Sequence, residues 1–544
     1  MMIHLPGFDF AVEARKLKRS PVENGIRLDF AGALRVKNIP ADHVLVHGRS
    51  AGGCASIPMP ANEKFTSYLQ TMITRQGVTL QLCQPLRQVN PSAMSGIAGK
   101  RGVRNLTVTS GPLYLYSSPN GHALMEAWAD QNRERVPQLN PVVGWNSWDY
   151  YRWTVTEEAV VRNAEFIAAD PVLRRHVKRI IIDDGWQYCY GEWDANPLFP
   201  HGMEWLAKRL TRTGFEPGLW FAPAVIEPHA RIAQWDTDML AKGESGHPCL
   251  AFECMRRFGF VLDPTVPKTQ RWLRALFDRY ASMGYRYFKL DFLKQMLKAP
   301  VFADTAVPPG QLVRRLVEAA HRGINGRAQI MGCGYDFFAG NALVNAVRTS
   351  SDIHARWDCV KENVSSIAAR WWAHGRLWEN DPDFALCRGP ATAKDPDLNR
   401  LRPCLVFVKP NEPAPHEPWV LSTLSLDEAR TLLSLVLISG GAVNLSDDLT
   451  KLNPVGLDLI RRTVAAKRGA AGIALDLFSA KYPRYWTQQP NRVLLINWDD
   501  KPRTLSMNVT GDRARDFWTG KPVTVRHGKL TAELPAHTSL LAEL

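Results

Sequence analysis

The sequence predicts a central (β/α)8 barrel flanked by an N-terminal and a C-terminal antiparallel β-domain. Three observations carry this. From residue 141 onward, eight strand-like apolar runs alternate with helical stretches. No Gly-x-Gly-x-x-Gly follows any of these strands, which disfavours a doubly wound sheet. Both flanks have another texture, short β-prone runs broken by Gly, Pro and Asn. A chain of 544 residues is also too long for one ordinary domain.

Residues 1–137 form the first unit, sandwich-like, with strands expected at 26–28, 43–47, 65–70, 78–82 and 113–116 and a helix at 122–131. The barrel unit, 138–470, has strands expected at 142–148, 177–183, 218–226, 285–291, 328–333, 343–348, 376–379 and 436–444. Helices fall between them, at 156–168, 270–280, 311–320 and 363–372. The proline-containing stretch 388–417 is a long insertion, and long loops on the carboxyl face of a barrel usually belong to its site. The third unit, 471–544, returns to short strands. Its closing Leu-Pro-Ala-His-Thr-Ser-Leu-Leu reads as an edge strand, because proline cannot donate to a ladder.

Composition narrows the function. A 45% hydrophobic and 22% charged chain is a folded soluble protein. The net charge of +14 raises anionic partners, but the basic residues are dispersed, and runs such as 15–19 and 208–212 have the length of solvated faces. No zinc-finger or RNA-binding signature accompanies them, so nucleic acid is not the expected partner. Nine cysteines form no disulfide framework. The N-terminus lacks a basic segment followed by an apolar core, and no run reaches membrane-spanning length; cytoplasmic residence without membrane association is the expectation.

The stretch 285–293 organises the chemistry. Read as a strand, it sends Lys289 and Asp291 to the same side and places a carboxylate at its carboxyl end. Other predicted strand ends bring Gly144-Trp-Asn-Ser-Trp148, Asp183-Asp-Gly-Trp-Gln187, Trp220, Gly332-Cys-Gly-Tyr335, Arg348-Thr-Ser-Ser-Asp352 and Glu379-Asn-Asp-Pro-Asp383. Carboxylates, cations and indoles on one rim describe a polyhydroxy pocket, in which acids accept from hydroxyls, cations donate and an indole covers a ring face. Two carboxylates flanking one bond are what glycoside chemistry requires. Asp291 beside Lys289 is expected to stay ionised, and Asp352, among acidic neighbours, to hold a proton more readily. Asp194 and Asp383 read as helix caps. A magnesium site at Asp183, Asp184 and Asp291 is disfavoured by the adjacent Trp and Lys.

Together these motifs resemble the retaining α-galactosidase clan, glycoside hydrolase families thirty-six and twenty-seven. The resemblance covers most of 141–450 and extends in layout to both flanks. The three-domain plan is most like family thirty-six, and Asn380-Asp-Pro-Asp383 is like family twenty-seven. The resemblance implies Asp291 as nucleophile and Asp352 as general acid/base. It also implies Lys289 and Arg348 on sugar hydroxyls, Asp183 and Asp184 on O4 and O6 of galactose, and Trp148 and Trp220 lining the subsite. It implies a terminal α-linked galactose, on an oligosaccharide or glycoconjugate, removed by double displacement without metal or cofactor, by a monomer or homo-oligomer. Gly334 after Cys333, where the clan commonly carries larger side chains, leaves a 2-acetamido sugar as an alternative. β-L-Arabinopyranoside cleavage and transglycosylation are further alternatives.

Overall fold

The computed structural model describes all residues except 89, 140–141, 255–256 and 410–411. Its centre is an all-parallel sheet of nine hydrogen-bonded segments. The first six are β1 (Val143–Asn146), β2 (Val177–Ile182), β3 (Glu216–Phe221), β4 (Tyr287–Leu290), β5 (Gln329–Gly332) and β6 (Ala346–Arg348). Next come the two parts of β7 (Glu379–Asp381 and Phe384–Ala385), then β8 (Val443–Leu445). The parts of β7 are one strand broken at Pro382 and Asp383. The first pairs with β6 and the second with β8, and Ala442 N donates to Asn380 O at 2.8 Å, so the segments fill eight barrel positions.

Two of the boundaries that differ from the sequence reading bear on the last two barrel strands. The run 436–439 is the end of a helix, Leu426–Ser439, capped by the reciprocal Ser425 and Glu428 pair, and β8 begins only at Val443. That helix is buried on almost every face, so its apolar run carried no period to separate helix from strand. Likewise β7 begins at Glu379, where the sequence reading ended the strand, which moves Glu379 from the rim to the amino end of the barrel.

Glu379 is there only 9% exposed, and its Oε1 accepts no hydrogen bond among the described residues. Burial pushes its carboxyl up to about 7, although Arg468 and Arg179 act the other way. The folded state therefore binds more protons than the unfolded chain between about 4.5 and about 7. The stability this group contributes at acid pH declines as pH rises through that window and is lost above it. Glu379→Gln is expected to gain on the wild type by ~3 kcal/mol between about pH 5 and about pH 8. Urea unfolding at both pH values checks this; a constant difference would refute it.

The N-terminal strands, from Met2–Leu5 to Leu113–Ser118, form an 11-stranded sheet, followed by the helix Gly121–Asn132. Its long hairpin, Phe8–Val22 with Gly25–Pro40, carries the exposed basic run 15–19 into solvent. The C-terminal part holds a six-stranded and a three-stranded sheet around Leu495, Leu505, Leu530 and Leu540. Ser539–Glu543 lies between Arg492–Ile496 and Ala514–Asp516, so the closing strand is interior, not an edge. Pro535 precedes it in a turn, where Asn497 Nδ2 donates to the carbonyls of Leu534 and Pro535, and the ladder never needs the missing N–H.

The N-terminal sheet docks on the barrel through the loop after His43–Val46. Arg49 makes two hydrogen bonds to Asp336, at 2.9 and 2.7 Å. Arg370, buried, donates to Thr349 O of the barrel and to the carbonyls of Gly48, Ser50 and Gly52 of that loop. Gly52 has φ +73°, and a Cβ there would sit 2.4 Å from Ser351 Oγ, so glycine permits the close approach. The insertion folds as a hairpin, Leu401–Lys409 with Glu412–Val420, and lays His416 over the Trp153 ring at 4.1 Å. No helix among the described residues is long and apolar enough to cross a membrane.

Candidate active site

The carboxyl ends of the barrel strands surround a cavity of about 410 Å³. All ten residues singled out from the sequence line it: Asp291, Asp352, Trp148, Asp183, Asp184, Trp220, Lys289, Cys333, Gly334 and Arg348. Asp291 follows β4 directly and is tied to β3 by its N–H to Phe221 O at 2.8 Å. Phe292 then turns the chain away at φ +53°. Its N–H donates to Asp291 Oδ1 at 2.6 Å, and Trp220 Nε1 donates to Oδ2 at 3.2 Å. Each carboxylate oxygen thus takes one neutral donor, and the half-buried group keeps acceptor capacity toward the cavity.

Lys289 lines the cavity with Asp291, but its ion pair is made with another acid. Its ammonium donates to Asp183 Oδ2 at 2.7 Å, and the two groups are 3% and 2% exposed. Burial works against the ammonium, but Asp183 raises its pKa and holds it charged. The strand alternation was correct; the partner lies on β2, 106 residues away in sequence. Asn146 Nδ2 donates to the same Asp183 oxygen at 2.7 Å, so the Gly-Trp-Asn-Ser-Trp segment orients the acid before its indole reaches the cavity.

Asp184 is held more tightly still. Its Oδ2 accepts from Trp153 Nε1 at 2.8 Å and Tyr190 OH at 2.6 Å, and its Oδ1 from Gln187 Nε2 at 2.5 Å. Burial nevertheless pushes its carboxyl up, with Arg257 pulling the other way from 3.5 Å. Arg257 makes two bonds to Glu227, at 2.9 and 2.8 Å, and its guanidinium lies 3.9 Å from the Tyr190 ring centre. Trp153 meets Trp148 edge to face at 5.0 Å, which sets the wall of the cavity on that side.

Arg348, 1% exposed, closes the opposite group of contacts. One nitrogen, Nη2, lies 2.6 Å from Asp352 Oδ1 and 2.8 Å from Asp383 Oδ2. Nη1 reaches Cys333 Sγ at 3.5 Å, and burial pushes that thiol well up. Asp352 itself is 47% exposed at its side chain. Burial pushes it up, but Arg348, Lys289 and His354 outweigh this and hold it below the usual carboxylate range. The expectation that acidic neighbours would keep a proton on Asp352 is therefore corrected: in the free site the guanidinium dominates.

Gly334, at φ +61°, leaves its face of the cavity without a side chain. Tyr335 does not fill it, being fully buried with its hydroxyl on Gly340 O at 2.7 Å. Neither residue read as a helix cap is one. Asp194 lies in the strand Glu192–Ala195 and pairs with Arg279, and Asp383 belongs to the Arg348 cluster.

Sequence reasoning missed Ala51, Trp153, Tyr190 and Arg257, all of which line the cavity. Arg257 had a signal, but an inverted one. In Arg257–Val261 the residues Arg257, Gly259 and Val261 face inward while Phe258 stands 47% exposed, so a hydrophobicity reading turns the strand inside out. Ala51 had none, because it comes from the loop after His43–Val46, far from the barrel in sequence.

Fold and site together define a multidomain (β/α)8-barrel protein with an acidic, tryptophan-lined cavity at the carboxyl ends of its strands. Its likeness is to the α-galactosidase clan, with features of glycoside hydrolase families 36 and 27. No protein-family model matches the sequence. Alpha-galactosidase mel1 of Schizosaccharomyces pombe is 29% identical over 153 residues, 23% of this chain and 35% of that protein. A probable alpha-galactosidase of Dictyostelium discoideum is 23% identical over 253 residues, 46% of this chain and 55% of that protein. The matches thus span between about a third and about half of those relatives.

Among solved structures, the alpha-galactosidase TtGalA from Thermus thermophilus, in complex with p-nitrophenyl alpha-D-galactopyranoside, superposes with a TM-score of 0.68 at 20% identity. That match covers 90% of this chain and 97% of that one. The GH36 alpha-galactosidase AgaA from Geobacillus stearothermophilus, as a variant with stachyose, gives 0.60 at 13% identity, covering 99% and 81%. A GH27 β-L-arabinopyranosidase from Geobacillus stearothermophilus gives 0.55 at 18%, covering 77% and 98%. At these identities the structures show the shared fold.

Proposed function

We propose that this protein is a retaining, exo-acting α-galactosidase. The observation that carries the reading is the contrast between two carboxylates on one cavity. Among the described residues Asp291 accepts hydrogen bonds from neutral donors alone and has acceptor capacity to spare, the condition of a nucleophile. Asp352 sits on a loop, half exposed and steered by a guanidinium, the condition of a group that exchanges a proton with a leaving oxygen. In this reading Asp183, Asp184 and Lys289 hold the hydroxyls of a terminal sugar at the buried end of the cavity, which favours removal of single end residues. Asp291 attacks the anomeric carbon as Asp352 protonates the departing oxygen; Asp352 then deprotonates water, which releases the sugar with its configuration retained. Likeness to curated α-galactosidases supports galactose as that sugar.

One observation favours a second reading. The face at Gly334 carries no side chain and Tyr335 is turned away, which leaves room for a 2-acetamido group. Release of nitrophenol from 4-nitrophenyl α-D-galactoside and from its 2-acetamido analogue decides between the two, with Asp291→Ala as the control for each. Turnover of only the acetamido substrate would overturn the first reading. Turnover of neither by folded protein would sink both.

A further inference from the structure

We propose that Asp383 is the positioning residue of the acid/base: it anchors, through Arg348 and through the Ile353 amide, the loop that carries Asp352. The proposal rests on the reading of Asp352 given above and adds a residue that does not line the cavity.

The break in β7 is the starting point. Asp383 is a non-glycine residue with φ +79°, a left-handed backbone that an L side chain rarely adopts and that persists where surrounding contacts enforce it. Its N–H donates to Asp381 Oδ1 at 2.9 Å, and its side chain is 1% exposed. This conformation sends the carboxylate back toward the exit of β6. There Oδ2 accepts from Ile353 N at 2.6 Å and from Arg348 Nη2 at 2.8 Å. Arg348 precedes the acid/base by four residues and holds its Oδ1; Ile353 follows it by one. A single carboxylate oxygen on β7 therefore fixes both flanks of Asp352.

Its neighbours act on the same loop. Thr349 N donates to Asp381 O at 2.9 Å, and Ser350 Oγ donates to Pro382 O at 3.0 Å. From residue 348 to 353 the loop is thus pinned to 381–383 by five contacts among the described residues, Thr349 Oγ1 to Asp381 O at 3.1 Å included, and on the 381–383 side only Asp383 uses its side chain. Deleting that side chain leaves the guanidinium free to swing with Asp352 and leaves the Ile353 amide without its acceptor.

The test uses two variants of the full-length protein. Asp383→Gly removes the carboxylate and tolerates positive φ, so it avoids the misfolding that alanine invites. Asp383→Asn keeps an acceptor oxygen and is at home in the left-handed region. Protonation of the leaving group matters greatly for methyl α-D-galactoside and little for 4-nitrophenyl α-D-galactoside. Asp383→Gly is expected to lose about 10- to 100-fold in kcat/KM on the methyl glycoside and less than about 3-fold on the nitrophenyl one, with Asp383→Asn near wild type on both. Equal losses on both aglycones, or a glycine variant no worse than wild type, would overturn the proposal, as would an asparagine variant as impaired as the glycine one. If the wild type cleaves no α-galactoside, the functional reading fails first. A crystal structure of Asp383→Gly then decides separately, because an unmoved Asp352 carboxylate and Ile353 amide refute the anchor.

Discussion

Asp291→Ala is expected to lower turnover of 4-nitrophenyl α-D-galactoside by about 10⁴-fold or more, ~5 kcal/mol or above in transition-state free energy. The reason lies in what else is present. Asp183, Asp184 and Asp352 are each engaged by a cation: Lys289 at 2.7 Å, Arg257 at 3.5 Å and Arg348 at 2.6 Å. None of them is free to replace Asp291, which among the described residues accepts from an indole N–H and a backbone N–H. The variant should fold normally, since Asp291 ends its strand half-buried and makes no ion pair among the described residues. Its product chemistry is more telling than its rate. Azide entering the space the carboxylate vacated attacks opposite the leaving group, so added azide is expected to restore turnover and yield β-galactosyl azide. Activity within tenfold of wild type, or an α-azide as sole product, would remove Asp291 from the nucleophile role.

Asp352→Ala is expected to lose about 10²- to 10⁴-fold in kcat/KM on methyl α-D-galactoside while retaining most kcat/KM on the nitrophenyl glycoside, whose leaving group needs little protonation. Azide here attacks the galactosyl enzyme from the face that the carboxylate has left, and the expected product is α-galactosyl azide. The two variants should therefore give opposite anomers, a distinction that no general loss of folding can mimic. A pH dependence accompanies it. Arg348 holds Asp352 below the usual carboxylate range in the free site, so its protonated fraction falls as pH rises through that low value. For the methyl glycoside, kcat/KM of the wild type is expected to decline with rising pH above that range, and Asp352→Ala to flatten the decline. An unchanged profile in the variant would show that another group carries the proton.

Much of the barrel was legible because it rests on local chemistry. A strand's alternation is a property of its own residues, so Lys289 and Asp291 could be assigned to one side of β4 before any fold was known. The same holds for short polar runs after apolar ones, which marked the ends of β2, β4 and β6 and gathered ten lining residues about one cavity. Where local signal was lacking, the reading failed for identifiable reasons. The helix Leu426–Ser439 is buried all round and shows no face. Arg257–Val261 presents Phe258 outward and its arginine inward, and the proline before Ser539–Glu543 lies in a turn and not in the ladder.

The sequence by itself determined the succession of strands and helices, the identity of the groups at the strand ends and the resemblance they carry. Only the tertiary structure decided who is paired with whom. Lys289 turned out to belong to Asp183, Arg348 to both Asp352 and Asp383, and Arg257 to Glu227 and Asp184. The physical reason is that an ion pair forms between atoms a few ångströms apart whatever their separation along the chain. Those distances arise when parallel strands from distant segments take their register and close. The charge state of Asp352, the anchoring role proposed for Asp383 and the reach of Ala51 into the cavity all follow from that closure.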